Sequence, residues 1–225
     1  MEKIGIIGSG TWGTAIAVLL VNNGHEVTLW SAIPAEIEEM AKTRTHKNLP
    51  GVTLPEGLVY TADLEKAMAD KDLLVMAVPS VFVRSTAQKM KPFCKDGQLI
   101  VDVAKGIEEN TLDTMTQIIK EELPMAETAV LSGPSHAEEV SRGLPTLCVA
   151  GSHKNEDRGV YPVHLHQSGI PCIHESGCPG DRDRSCVKKR CCPGGGRRVT
   201  VVGYGVRMQK HASITADVAE IARLG

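Results

Sequence analysis

Residues Lys3–Gly24, KIGIIGSGTWGTAIAVLLVNNG, decide the fold of this chain. A short apolar run ends at the glycine-rich segment Gly8–Gly13, and apolar residues at helical spacing follow it. Gly24 stands where a glycine commonly ends a helix. The order of strand, G-x-G-x-x-G and helix is the context in which this pattern predicts a dinucleotide site.

Each glycine of the pattern has a separate expected task. Gly8 makes the tight turn, Gly10 lets the backbone approach a pyrophosphate, and Gly13 lets the helix pack closely on the strand. The free N–H groups and the positive dipole end of the helix then attract the phosphate charge. The segment therefore predicts that phosphate groups bind where the helix begins.

Strands and helices alternate along the rest of the first 150 residues. Apolar runs and turn residues predict strands over 26–31, 58–61, 72–78, 98–104, 128–131 and 145–150, and helices over 34–42, from 63, and over 81–90, 111–122 and 137–141. The expected fold class is α/β, a doubly wound parallel Rossmann sheet. We expect two domains, a dinucleotide-binding domain over 1–150 and a partial, disrupted domain over 151–225.

The end of the second strand leaves the choice of cofactor open. A Rossmann domain usually places an acid there for the ribose hydroxyl of NAD, or an arginine for the 2′-phosphate of NADP. Here the residues are Ser31, Ala32 and Ile33, which offer neither group. The prediction is therefore NAD or NADP.

Composition limits the classes of partner. With 42% hydrophobic residues a substantial core is expected, and a formal net charge of -2 gives no reason to expect nucleic acid or an anionic membrane. No run approaches eighteen apolar residues, so no membrane span is expected. The first strand begins at Lys3 and leaves no room for a signal peptide, so a cytoplasmic protein is expected.

Three features follow predicted strands, where ligands bind in such sheets. Val78-Pro79-Ser80 is either an ordinary turn or a loop over the cofactor, and Lys105 is either a solvated lysine or a partner for an anionic substrate. In Ser132–Glu139, Ser135 and Glu138 have the spacing of a capping box, which is compatible with an anion site at the same helix start. Together the three features suggest a small phosphorylated or carboxylated substrate.

Five segments together resemble the soluble NAD(P)-dependent glycerol-3-phosphate dehydrogenases of bacteria. The resemblance covers residues 1 to about 157 without a break, and it is carried there by the segments GSGTWGTA at 8–15, VPS at 78–80, KGIE at 105–108 and SGPSHAEE at 132–139. A separate segment, AEIARLG at 219–225, also matches. It implies hydride exchange between NAD(P) and C2 of glycerol 3-phosphate, with dihydroxyacetone phosphate as the ketone. It further implies a supply of glycerol 3-phosphate for phospholipid synthesis, and a homodimer is an expectation for the intact enzyme.

The resemblance also assigns roles to individual residues. The residues it implies to bind the cofactor are Thr11, Trp12, Lys105 and Ala137, which join Gly8, Gly10 and Gly13 of the glycine-rich pattern. Those implied to bind the substrate are Lys105, Gly133 and Ser135. The family's proton-transferring lysine lies in a Gly-Ala-Leu-Lys-Asn motif on the first helix of a mainly α-helical second domain. This sequence lacks that motif, and family members continue past residue 225 with an Arg-Asn substrate motif.

The stretch from about Arg158 to His211 loses hydrophobic periodicity and is rich in Cys, Arg, Pro, His and Gly. A zinc site is one interpretation, because His164, His166 and His174 lie here with five of the seven cysteines: Cys172, Cys178, Cys186, Cys191 and Cys192. The spacings contain no C-x-x-C, however, and the adjacent Cys191 and Cys192 suit a tetrahedral site poorly. A disulfide scaffold conflicts with a cytoplasmic Rossmann domain.

A translation shifted by one base fits this stretch better. When residues 180–195 are back-translated with permitted codons and the first base is dropped, the new frame allows IEIGAALKNVVALAA, which contains Gly-Ala-Ala-Leu-Lys-Asn. In the shifted frame the codon of the family lysine spans the codons of Lys188 and Lys189, so this lysine is expected near Lys188. In the frame as written, no catalytic residue is intact. We expect the frame to recover near Ser213, because the family pattern returns at 219–225. The rival interpretation is a non-catalytic nucleotide-binding module with a Cys-rich metal-binding tail.

Overall fold

A computed structural model describes residues 1–133, 135–143, 148–152 and 172–174 of the 225-residue chain. The strands are β1 Lys3–Ile7, β2 Glu26–Trp30, β3 Leu58–Thr61, β4 Leu73–Met76, β5 Leu99–Asp102, β6 Glu127–Ser132, β7 Cys148–Ser152 and β8 Cys172–His174. The helices are α1 Thr11–Asn22, α2 Pro34–Thr43, α3 Leu64–Met68, α4 Ser80–Met90, α5 Met115–Glu122 and α6 Ala137–Ser141, and a 3₁₀ turn covers Lys91–Phe93.

All eight strands form one sheet in the order β3-β2-β1-β4-β5-β6-β7-β8. The strands β1–β6 are parallel, as predicted, which confirms the doubly wound Rossmann fold. The predicted seventh strand pairs antiparallel with β6, although the sequence analysis expected only parallel strands. An apolar run fits either direction, so hydrophobicity does not determine the orientation of an outer strand.

Helices cover both faces of the sheet. On one face, β-strand residues such as Ile6 and Val75 pack with α1 and α2, and on the other face Ile7 and Met76 pack with α3, α4 and α5. All four residues of β4 are buried. This burial on both faces explains the uninterrupted apolar runs of the central strands.

The start of α5 differs from the prediction. A helix was expected from Thr111, but α5 begins at Met115. Thr114 and Gln117 form a reciprocal capping box, in which each side chain accepts a hydrogen bond from the backbone N–H of the other residue. Leu112 has φ 62, a left-handed backbone that is incompatible with an α-helix.

Several expectations lie outside the described residues. These are the shifted frame across 158–211, the lysine near Lys188, the α-helical second domain and the recovery of the frame near Ser213. Strand β7 ends at Ser152, so the sheet continues past the proposed domain boundary at residue 150. Among the described residues, no helix is long and apolar enough to cross a membrane.

Candidate functional site

The loops that follow β1, β4, β5 and β6 lie at one edge of the molecule, because these four strands are parallel neighbours in the sheet. The chain passes to the far side of β1 between β3 and β4, so the strand order reverses at β1 and β4. Ligands of open α/β sheets bind in the crevice at such a switch point. The glycine-rich loop after β1 lies at this crevice.

Gly8 and Gly13 are packed so closely that only glycine fits. Gly8 has φ +123, and a Cβ there would lie 2.7 Å from the backbone carbon of Ala77, at the end of β4. A Cβ on Gly13 would lie 2.1 Å from the carbonyl oxygen of Gly8. These two glycines therefore bring β1, β4 and the start of α1 together, as the sequence predicts.

Gly10 is glycine for a different reason. It is the N-cap of α1, its φ of −63 suits any residue, and a Cβ there would meet nothing within 4 Å. The first turn of α1 contains no acidic side chain, so no carboxylate competes for the helix N-terminus. The geometry leaves open space beside Gly10, where a phosphate group can approach the backbone.

Thr11 and Trp12 open α1, and both are half-buried. Trp12 also packs against the larger of the two hydrophobic cores. Both residues therefore lie directly beside the open space at Gly10, where the resemblance places cofactor contacts.

The carbonyl oxygen of Ser9, inside the loop, is held by two side chains. Thr14 Oγ1 donates to it at 3.0 Å, and His46 Nε2 lies 3.2 Å away. His46 belongs to the connection between α2 and β3, which the sequence analysis interpreted only as a loop. Its 37-residue separation from Ser9 explains why no local pattern identified this contact.

Lys105 follows β5 by three residues in a segment with several fixed points. The Asp102 carboxylate accepts the N–H of Ala104 at 3.0 Å. Gly106 has φ +127, and a Cβ there would lie 3.2 Å from Ser80 Oγ at the start of α4. The ends of β4 and β5 therefore meet at this segment, which places Lys105 at the crevice edge.

Asp102 is a site residue that the sequence analysis did not select. It is fully buried, and burial raises the pKa of its carboxyl to about 7, although the Ala104 N–H and the charge of Lys105 act in the opposite direction. Oδ2 has no hydrogen-bond partner among the described residues. A signal was present, because Asp102 is a charged residue within an otherwise apolar strand.

Gly133 and Ser135 lie between β6 and α6. Ser135 is buried, and its N–H and Oγ both donate to the carbonyl oxygen of Gly133, at 2.9 Å and 3.5 Å. The predicted capping box of Ser135 and Glu138 is wrong, since His136 is the N-cap of α6 and no side chain caps this helix. The hydroxyl of Ser135 bonds within its own turn instead.

Ala137 is the first residue of α6, and it packs with Trp12 against the same hydrophobic core. The structure thus brings Ala137 to the core that supports the start of α1.

At the end of β2, Ser31 is buried and its Oγ accepts the N–H of Ile33 at 3.2 Å. No acid or arginine occupies the three positions after β2, so NAD and NADP both remain as predicted cofactors.

Two further candidates cannot be placed. Lys188 and most of the Cys- and His-rich stretch lie outside the described residues. Within the part of the chain that the structure describes, no group of three His, Cys, Asp or Glu side chains is arranged to hold a metal ion.

Comparison with known proteins gives a consistent result. The family model described as NAD-dependent glycerol-3-phosphate dehydrogenase N-terminus matches residues 3–158. The glycerol-3-phosphate dehydrogenase [NAD(P)+] of Agathobacter rectalis is 55% identical over 153 residues, which are 68% of this chain and 46% of that protein. The second glycerol-3-phosphate dehydrogenase [NAD(P)+] of Lactobacillus delbrueckii subsp. bulgaricus is 40% identical over 243 aligned residues, covering 100% of this chain and 68% of that protein.

A solved structure agrees with these sequence matches. The crystal structure of glycerol-3-phosphate dehydrogenase from Coxiella burnetii has a TM-score of 0.72 and 28% identity, covering 78% of this chain and 54% of that one. The chain spans about half the length of the A. rectalis and C. burnetii proteins. With a family model that matches well over half of its residues, the chain belongs to the NAD-dependent glycerol-3-phosphate dehydrogenase family.

Proposed function

We propose that this chain supplies the dinucleotide-binding part of an enzyme that interconverts glycerol 3-phosphate and dihydroxyacetone phosphate with NAD or NADP. The observation that carries the proposal is the loop Gly8–Gly13 at the switch point of the sheet. Two of its glycines allow close packing, and the third, Gly10, faces open space at the N-terminus of α1. This arrangement fits a pyrophosphate, which needs backbone donors and room to approach.

When bound, the nicotinamide would give a hydride to dihydroxyacetone phosphate or accept one from glycerol 3-phosphate, and the chain supplies the binding and orientation of the cofactor. We assign cofactor contacts to Gly8, Gly10, Thr11, Trp12, Gly13, Lys105 and Ala137. Backbone N–H groups at the start of α1 carry the positive end of the helix dipole, which attracts the pyrophosphate. Trp12 and Ala137 pack on one core and so fix the position of the helix start relative to β6.

We assign substrate contacts to Lys105, Gly133 and Ser135. The Lys105 ammonium supplies a positive charge for a phosphorylated substrate, and the Ser135 turn supplies polar groups at the neighbouring strand end. The proton-transferring lysine belongs to the proposed second domain, residues 151–225, and is expected near Lys188. No catalytic residue is therefore assigned within the domain proposed for 1–150.

Location, assembly and metabolic role are proposed from the family alone. We propose a cytoplasmic enzyme, a homodimer when intact, that provides glycerol 3-phosphate for phospholipid synthesis. The family match over residues 3–158 supports these parts. The proposed partner is a small phosphorylated substrate, and we propose no nucleic-acid partner.

The test compares two glycine variants of the 225-residue chain. Gly10→Val puts a branched side chain into the open space at the start of α1, so we expect binding of NADH and NADPH to weaken at least tenfold while the fold persists. Gly97→Ala is the control, because Gly97 precedes β5 at the opposite end of the strands and an added Cβ there meets nothing within 4 Å. Its φ of +70 lowers the stability by about 1–3 kcal/mol, but its dinucleotide affinity should equal that of wild type.

Calorimetric titration gives the affinities, and urea unfolding gives the stabilities. A wild-type chain that binds neither dinucleotide at millimolar concentration contradicts the proposed function. Unchanged affinity in a folded Gly10→Val variant would contradict the site assignment.

A further inference from the structure

His46 is a buried histidine that contacts the glycine-rich loop from another part of the chain. It lies between α2 and β3, and only 7% of its surface is exposed. Its Nε2 lies 3.2 Å from the carbonyl oxygen of Ser9. Its Nδ1 lies 3.2 Å from the backbone nitrogen of Asn48, which donates to it. Both ring nitrogens are therefore engaged.

These two partners determine the protonation state of the ring. The Asn48 N–H is a donor, so Nδ1 must be the unprotonated nitrogen. The Ser9 carbonyl oxygen is an acceptor, so Nε2 must carry the proton. Only the neutral imidazole with its hydrogen on Nε2 satisfies both contacts, whereas an imidazolium would direct a second N–H toward the N–H of Asn48.

The contact with Ser9 has a directional consequence for the next residue. The described backbone contains no cis peptide bond, so the Ser9 carbonyl and the Gly10 N–H point in opposite directions. Thr14 and His46 both donate to that carbonyl and hold it toward themselves. The Gly10 N–H is thereby directed away from them, at the residue that borders open space.

We propose that His46 is a positioning residue for the dinucleotide pyrophosphate: by donating to the Ser9 carbonyl, it orients the Ser9–Gly10 peptide so that the Gly10 N–H faces the phosphate. The inference rests on the proposed function, because it needs a pyrophosphate in the crevice. It assigns to this chain a contribution to cofactor affinity from a residue 36 positions beyond Gly10. A preoriented donor binds more tightly because less conformational freedom is lost on binding.

The surroundings of His46 also favour the neutral ring. Burial is the largest influence on the pKa of His46 and lowers it below 6.5. The hydrogen bond to the Ser9 carbonyl acts to raise this pKa, the charge of Lys47 acts to lower it and that of Glu36 acts to raise it. Lys47 and Glu36 pair with each other at 2.9 Å. The ring is therefore neutral at neutral pH. Protonation in acid would remove the Asn48 contact but would keep the Nε2–H that donates to Ser9.

Two amide variants separate the two contacts. In His46→Gln the amide nitrogen stands at the place of Nε2, so it keeps a donor for Ser9. In His46→Asn the amide oxygen stands at the place of Nδ1, so it keeps an acceptor for Asn48 but cannot reach Ser9. A role limited to the structure of the loop predicts similar losses for both variants, whereas the positioning role predicts a loss of affinity in His46→Asn alone.

The affinities of the 225-residue chain for NAD⁺ and NADP⁺ are measured by calorimetry at pH 7.5. We expect the dissociation constants of His46→Asn to rise about 5- to 30-fold and those of His46→Gln to stay within about threefold of wild type. Equal dissociation constants for wild type and His46→Asn overturn the proposal. If the wild-type chain binds neither dinucleotide, the proposed function fails instead.

A third variant covers the case in which His46→Asn does not fold. Neither His46→Leu nor His46→Gln places an acceptor at the position of Nδ1, and only His46→Gln keeps a donor for the Ser9 carbonyl. We therefore expect the dissociation constants of His46→Leu to exceed those of His46→Gln about 5- to 30-fold. Equal dissociation constants for these two folded variants overturn the proposal.

Discussion

At the scale of single residues, Asp102 combines a structural contact with an unfavourable environment. One carboxylate oxygen accepts the N–H of Ala104, while burial raises the pKa of the carboxyl to about 7. The folded state therefore binds its proton more tightly than the unfolded state, whose carboxyl has a pKa near 3.9. The free energy of unfolding must fall as the pH rises from about 4 to 7, because in this range the native Asp102 carboxyl holds a proton that the unfolded carboxyl has already released.

The variant Asp102→Asn tests this directly. Asparagine keeps an oxygen for the Ala104 N–H but carries no titratable group. We expect its free energy of unfolding, relative to wild type, to increase between pH 4.5 and 8 by an amount on the order of a few kcal/mol. Urea unfolding at several pH values measures it. A difference that stays constant with pH would show that Asp102 ionises normally.

The same residues show what a single sequence reveals about a site. Gly8, Gly10 and Gly13 could be predicted because their tasks depend on neighbours a few residues away. Asp102 was visible as a charge in an apolar strand, yet its hydrogen bond and pKa depend on the depth of burial. His46 gave no signal, because its partner Ser9 is distant in the chain and its own loop has no periodicity.

At the scale of secondary structure elements, Arg84 joins three parts of the site's support. From α4, its guanidinium makes two hydrogen bonds of 2.7 Å to the carboxylate of Glu108, three residues after Lys105. It also bonds Glu121 at 2.9 Å and Glu122 at 2.7 Å, both in α5. The segment that carries Lys105 is thereby tied to both helices.

We predict that Arg84→Met lowers the melting temperature by a few degrees, because three carboxylates lose their shared partner. The Arg84 hydrogen bonds lower the pKa of Glu108 to about 2, so the ion pair stabilises the protein above the unfolded pKa and is lost as the pH falls toward 2. The difference from wild type should therefore shrink in acid.

Lys95→Met is the matched control for the Arg84 variant. Lys95 pairs with Asp70 at 3.1 Å, but both side chains are largely exposed, so the pair contributes little. Scanning calorimetry of the two variants gives the comparison. Equal small shifts in both would contradict the role given to the Arg84 cluster.

The elements were more predictable than their arrangement. β3 and α6 begin and end where the sequence predicts, because turn residues flank short apolar runs. The direction of β7 and the late start of α5 were not foreseen. The former depends on which strand β7 meets, and the latter on a capping box between Thr114 and Gln117 that competes with a longer helix.

At the scale of the whole molecule, the family match and the change in sequence character coincide. The family model ends at residue 158, where the hydrophobic periodicity of the chain also ends. The stretch beyond it carries five cationic side chains within nine residues: Arg182, Arg184, Lys188, Lys189 and Arg190. Burying such charges without partners costs several kcal/mol each, so this stretch is a poor sequence for an apolar helix over a cleft.

The last prediction follows from this mismatch. The comparison is with a chain of the relatives' full length in which the shifted frame across 158–211 is restored. Relative to that chain, the chain as written should still bind NADH but should reduce dihydroxyacetone phosphate far more slowly. Absence of a positioned acid–base group alone lowers the rate roughly 10²- to 10⁴-fold. A direct assay of NADH oxidation by both chains, with their NADH affinities measured alongside, gives the comparison. Equal affinities with unequal turnover would place the defect in the second domain, whereas comparable turnover would refute both the shifted frame and the role of the lysine near Lys188.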